Sequence, residues 1–331
     1  GTNGVTNNLD ISSGSGTVVI TGNIGGSSTN ALTSLDINES AGTGAVTLSG
    51  DIGTSGTSAV VGVSGDTRIG SSNMTGALTF GGAVYNTTGS QEYDAGSYSI
   101  TGTDPAFTTA NDDVTFSAGT ITLASAADLS INTGTSGGDV SIVGAIVGTS
   151  NNSGTTTVDI EAGSGSVGIA GISTKIGNVT LDGGNGITLN GDITTAGGNI
   201  DINDAAILGG SVTLTTANGT IDFAKTLVGT SGVTNNLDIS SGTGTVVITG
   251  NIGGTTANAL TSIDINESAG TGGVTLTGDL GTGSVAGAGV TRIGSSNMTG
   301  ALTFGGAFYN TSGAQEYDAG SYSITGTDPA F

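Results

Sequence analysis

The chain is built from very short triplets, apolar–polar–apolar, that recur along nearly its whole length. From Ile187 to Phe223 they read Ile187-Thr188-Leu189, Ile200-Asp201-Ile202, Val212-Thr213-Leu214 and Ile221-Asp222-Phe223. A period of two turns the outer residues of a triplet to one strand face and the middle residue to the other. Gly-Asp, Gly-Gly, Asn-Asp and Asn-Gly pairs lie between them and supply tight turns. A strand this short buries too little apolar surface to stand alone. It has to stack on copies of itself.

The copies are there: Leu9-Asp10-Ile11, Leu35-Asp36-Ile37, Leu129-Ser130-Ile131, Val158-Asp159-Ile160 and Val179-Thr180-Leu181 are among them. Every second triplet returns after about 20 to 26 residues, the coil length of a β-solenoid. Many triplets run on into Gly-x-Ile, as at Gly22-Asn23-Ile24, Gly50-Asp51-Ile52, Gly144-Ala145-Ile146 and Gly191-Asp192-Ile193. The Gly reads as a corner and the Ile as a short third strand, giving each coil a roughly triangular section. The expected fold is all-β: a right-handed parallel β-helix of ~15 coils, with Leu189 and Ile202 inward and Thr188 and Asp201 outward. The competing fold is a string of tandem β-sandwich modules. It requires longer strands and one broad core per module, whereas only 7 Phe and 6 Tyr are available.

A second, longer repeat is superimposed. GTNGVTNNLDISSGSGTVVITGNIGG at Gly1 returns as GTSGVTNNLDISSGTGTVVITGNIGG at Gly229, and the block Arg68 to Phe107 returns as Arg292 to Phe331. Residues 1–107 are thus the first half of one period, 108–228 its second half, and 229–331 the first half of the next, expected to form one continuous solenoid. The copies differ in length only between Ile52 and Arg68, where a surface excursion is expected, because loops absorb length changes. Neither terminus resembles a cap, so further repeats of the chain, or neighbouring copies, are expected to continue it end to end.

Composition narrows the function. Four basic residues stand against 26 acidic ones, a net charge of −22. Such a surface lacks the cations that neutralise nucleic-acid phosphates or dock on anionic lipid, so neither nucleic acid nor membrane insertion is expected. With no Cys and no His, thiol nucleophiles, imidazole triads and zinc–thiolate sites are unavailable. The remaining carboxylates are dispersed, Arg68 and Lys175 show no acidic constellation in the sequence, and enzymatic activity is not expected.

The run GNVTLDGGNGITLNGDITTAGGNIDINDAAILGGSVTLTTANGTIDF resembles repeats of large bacterial exoproteins of the filamentous-haemagglutinin type. GGAVYNTTGSQEYDAGSYSITG resembles another block common in them. The resemblance implies a secreted β-helix acting as an adhesin or surface fibre, located extracellularly at the cell surface.

Three groups are candidates for chemistry. In coils of 21 residues, Asp159, Thr180, Asp201 and Asp222 would fall in register on one outer wall. Asp201 and Asp222 could then hold a weakly bound Ca2+, since hard cations prefer oxygen ligands; the alternative is a solvated acidic face. GGNGITLN at Gly183 echoes a calcium-binding nonapeptide but carries Thr188 at the ligand position. Tyr85, Tyr93 and Tyr98 belong to the main aromatic concentration. On a lateral face they would bind surface glycans, making the protein a carbohydrate-binding adhesin; otherwise they fill the core.

Overall fold

A computed structural model describes residues 1–2, 5–26, 29–55, 61–124, 127–149, 155–268 and 270–331. They form two compact units, Gly1–Ile169 and Ala170–Phe331. Each unit is a β-solenoid of parallel sheets, without helices among the described residues.

In the first unit one wall stacks Asn8–Ile11, Ser34–Ile37, Thr67–Gly70, Gln91–Asp94, Val114–Phe116, Val140–Ile142 and Val167–Ile169. A second wall stacks Val18–Ile20, Val46–Leu48, Ala77–Phe80, Ser97–Ile100, Thr120–Leu123 and Ile146–Gly148. The third begins as single bridges, Ile24 to Ile52 to Tyr85, and becomes full strands at Val84–Asn86, Ala106–Thr108, Leu129–Asn132 and Val158–Glu161. Gly-x-Ile therefore does carry the chain round a corner, but into whichever wall comes next: Ile24 enters the third wall and Ile146 the second.

The second unit has the same construction. One wall runs from Ile172–Ile176 through Ile193–Thr195, Val212–Thr215, Asn236–Ser240, Leu260–Ile265 and Ala288–Gly294 to Gln315–Asp318. Another runs from Val179–Asp182 through Ile200–Ile202, Ile221–Phe223, Val246–Ile248, Val274–Leu276 and Ala301–Phe304 to Ser321–Ile324. Ile187–Leu189, Ala206–Leu208 and Leu227–Gly229 form the third, continued by bridges at Ile252, Leu280 and Tyr309.

All described pairings are parallel, and this excludes tandem β-sandwiches, which are antiparallel. The solenoid amounts to about 13 turns, fewer than the expected fifteen, because turns are longer and less uniform than 20 to 26 residues. A wall is regained after 19 residues from Ile187 to Ala206, 21 from Ile200 to Ile221, and 32 from Leu35 to Thr67. Ala206–Leu208 escaped the triplet pattern because its outward residue is Ile207, which breaks the polar alternation.

Packing follows the triplets closely. Leu189, Ile202, Ile200, Leu214 and Phe223 are fully buried, while Thr188 and Asp201 between them are half-exposed. The interior is filled by two residues from each triplet, so it stays one side chain deep from each wall. Corners are tied by Asn and Asp. Asn23 Oδ1 accepts the Asp51 N–H at 3.0 Å, and Asp51 Oδ1 accepts the Ala83 N–H at 2.8 Å. In the second unit Asn178 takes the N–H of Asn199, and Asn199 that of Thr220, both at 2.9 Å. Each corner side chain thus satisfies a backbone donor that the turn has removed from the ladder. Corner glycines answer to closeness: a Cβ on Gly191 would lie 1.6 Å from the Ala170 carbonyl oxygen.

Leu189→Asp places an unpaired charge inside the stack and is expected to cost about 3–5 kcal/mol, the scale seen when a buried charge is left without its partner. Thr188→Asp, one residue away on the outer face, should stay within about 0.5 kcal/mol of wild type. Thermal unfolding of the two variants checks this; equal melting temperatures would refute the facing of the strand.

Candidate functional site

On the outer face of the second unit, Thr180 pairs with Asp201, Asp201 with Asp222, and Asp222 with Val247. The expected register therefore holds from Thr180 onward. Asp159 lies in the first unit, paired with Ser130. The two carboxylates sit on adjacent rungs, and both are held above the ordinary carboxylate range: Asp201 by burial and by the charge of Asp222, Asp222 by burial. Asp222 Oδ1 is buried and takes no hydrogen bond. Among the described residues no group of three or more potential ligand side chains gathers. The pair thus offers two carboxylates, where Ca2+ takes six to eight oxygens. What the geometry supplies is a strained like-charge pair rather than a cage.

The tyrosines point the other way. Tyr85 and Tyr93 are 0% exposed and Tyr98 is 1% exposed, so their rings do not lie on a lateral face where a sugar could stack. They line the interior with Phe80, Phe107 and Phe116. Phe80 meets Tyr85, Tyr93 and Phe107 edge-on at 5.0 Å, and Tyr85 stacks on Phe107 at 4.7 Å. Their hydroxyls are satisfied inside: Tyr93 donates to Gln91 Oε1 at 3.1 Å, and Tyr98 donates to the Tyr93 carbonyl at 2.8 Å. Gln91, itself fully buried, donates to the carbonyls of Tyr85 and Thr108. Burial pushes the Tyr93 phenol well above its usual range. Aromatics that seemed available for a ligand are core because the triplet parity of Gln91–Asp94 and Ser97–Ile100 turns each ring inward.

Arg68, which has no acidic constellation in the sequence, acquires one in three dimensions. Asp10, Asp36, Arg68, Glu92 and Thr115 succeed one another up a single outer file. The guanidinium reaches Asp66, Glu92 at 3.2 Å and Asp36 at 3.8 Å. The second unit repeats the file as Asp238, Asp264, Arg292 and Glu316, with Arg292 3.2 Å from Asp264 and 3.8 Å from Glu316. The rise from Asp36 to Arg68 is 32 residues and from Asp264 to Arg292 only 28, yet both pair in register. The loop between rungs absorbs the difference; residues 56–60 of it lie outside the described residues. A coil length fixed at 21 hides this file, whereas the return of each Arg in the long repeat with Asp before and Glu after would have exposed it. Lys225, 3.9 Å from Asp204, is a looser surface pair.

Comparison of the chain with protein-family models, with curated proteins and with solved structures gives no match.

Two expectations follow from this chemistry. The raised carboxyls of Asp201 and Asp222 mean that the folded state binds their protons more tightly than the unfolded chain does. The pair's penalty is full at neutral pH and is relieved as pH falls through the raised folded values toward the ordinary ~4. Asp222→Asn should raise stability at pH 7 by a few tenths to about 1 kcal/mol, the upper bound of a cross-strand charge pair in partial contact with solvent. The advantage should shrink toward pH 4. Melts at fixed ionic strength, with and without Ca2+, read both effects; a Ca2+-induced rise in wild type that Asp222→Asn abolishes would identify a bridging ion.

In the aromatic interior, Tyr93→Phe loses one buried hydrogen bond and should cost about 1 kcal/mol, while Tyr93→Ala opens a cavity and should cost about 3–5 kcal/mol. Denaturant unfolding measures both. Loss of stability below about 0.5 kcal/mol in Tyr93→Ala would contradict a buried ring.

Proposed function

We propose that the protein is a structural segment of a secreted, repetitive cell-surface fibre or adhesin stalk, in which the solenoid supplies reach and stiffness. The observation that carries this reading is where its reactive groups are spent. The corner Asp and Asn residues accept backbone N–H groups of the next rung, the arginines clamp carboxylates of neighbouring rungs, and Tyr85, Tyr93, Tyr98 and Tyr309 are buried. Chemistry that would serve a substrate in a catalyst here serves the stack. The long repeat and the resemblance to filamentous-haemagglutinin-type exoproteins add the secreted, surface-exposed setting, and the acidic surface suits solubility. In such a fibre the natural neighbours are further repeats of the chain or copies placed end to end.

Two measurements test the proposal together. Single-molecule stretching should give stepwise unfolding with contour increments of about one to a few coils, as expected when repeats contact only their neighbours. Antibody labelling of intact producing cells, lost after protease shaving, should place the chain outside. Intracellular retention, or saturable glycan binding that dominates over any mechanical role, would overturn it.

A further inference from the structure

The aromatic block occurs twice, and the two copies differ in one respect. In the first unit Phe80, Tyr85, Tyr93 and Phe107 form a box that a fifth ring closes. That ring is Phe116, delivered by Val114–Phe116 in register with Tyr93. Its centroid lies 5.0 Å from Tyr93, 5.1 Å from Tyr98 and 5.5 Å from Phe107. The same coil carries Ile121 and Leu123 over Tyr98 and Ile100.

In the second unit Phe304, Tyr309, Tyr317 and Phe331 make the same box. Phe304 meets Tyr309 at 4.8 Å and Tyr317 and Phe331 at 5.1 Å, and Tyr309 stacks on Phe331 at 5.0 Å. No fifth ring lies on it among the described residues. Tyr322, Ile324 and Phe331 are 55%, 58% and 58% exposed, whereas their counterparts Tyr98, Ile100 and Phe107 are 1%, 0% and 0% exposed. The polar scaffold is nevertheless already set. Gln315 donates to the Tyr309 carbonyl at 2.7 Å, Tyr317 donates to Gln315 Oε1 at 2.9 Å, and Tyr322 donates to the Tyr317 carbonyl at 2.9 Å. These are the bonds that Gln91, Tyr93 and Tyr98 make beneath their covering coil.

We propose that this face of the second unit is a docking surface for one kind of partner: a parallel β-coil that seats a Phe side chain on the open box, in register with Tyr317. Two kinds of recognition combine. The edges of Gln315–Asp318 and Ser321–Ile324 offer backbone donors and acceptors for strand addition, which gives affinity. The box offers one aromatic-sized seat, which gives selectivity, because a ring there gains edge-to-face contact beyond its buried area. A preorganised acceptor loses little conformational freedom on docking. In the first unit the coil that fills this role carries Val114-Thr115-Phe116, Ile121-Thr122-Leu123 and Leu129-Ser130-Ile131, and this pattern defines the partner. The proposal is independent of any cellular role, since it rests on side-chain geometry within each unit.

The test joins a second copy of the sequence of residues 108–132 to the full chain after Phe331. A matched version carries Ala in place of the added Phe. Readouts are Tm and the nitration of Tyr322 followed by mass spectrometry. The Phe-bearing coil should raise Tm by several degrees and slow Tyr322 nitration by roughly tenfold, as for a side chain moved into a cooperatively closed core. The Ala version should give less than half of either effect. If the two perform alike, the edge accepts any strand and the aromatic seat is refuted. If neither changes Tm or nitration, the docking surface itself is refuted.

Discussion

The structure depends on the close stacking of parallel strands, rung on rung, at about 4.8 Å. Every other feature is a response to that spacing. At such a distance a corner has no room for a Cβ, so Gly191 lies against the backbone of Ala170. Each turn removes backbone donors from the ladder, so Asn23, Asp51, Asn178 and Asn199 supply acceptors to the rung beyond. An inner file must be apolar and an outer file need only be tolerated by its neighbours.

Tolerance on the outer file explains the electrostatics. Like residues in successive coils become immediate neighbours, so an acidic chain of this kind creates like-charge contacts unless something intervenes. Two responses are visible. Around Arg68 and Arg292 a guanidinium is inserted between carboxylates of adjacent rungs, and the same solution recurs in both copies of the long repeat. At Asp201 and Asp222 no cation intervenes, and the carboxyls hold their protons more tightly than usual. Asp238 shows the intermediate case: burial first, then Asp264, Glu267 and Asp192, raise it despite the nearby Arg292–Asp264 pair.

The interior obeys a different rule. A core one side chain deep from each wall leaves no space for many large residues, yet the aromatic block places five rings across three successive rungs of the first unit. They fit by alternating edge-on and stacked contacts and by directing their hydroxyls to Gln91 and to backbone carbonyls. A fully buried Gln with every visible polar bond satisfied is a specific device: it costs little once paired and allows no other register. The long repeat preserves it as Gln315.

What the sequence by itself determined was everything carried by local period. Triplet parity gave the facing of Leu189, Ile202, Thr188 and Asp201, and the turn residues gave the corners, because both depend only on residues within a few positions of one another. The register of Thr180, Asp201 and Asp222 was also legible, since coils there happen to be regular at 21 residues. Only the tertiary structure decided the rest. The number of residues between rungs varies from 19 to 32, and nothing local announces it, because a loop of any length can close at small entropic cost. So the partners of Arg68 and the wall entered by each Gly-x-Ile could not be read from spacing. The aromatic residues show the same limit from the other side. Their parity marks an inward face, but whether that face is sealed depends on the coil stacked above it: Phe116 seals Tyr98, and Tyr322, in an almost identical stretch of sequence, remains open.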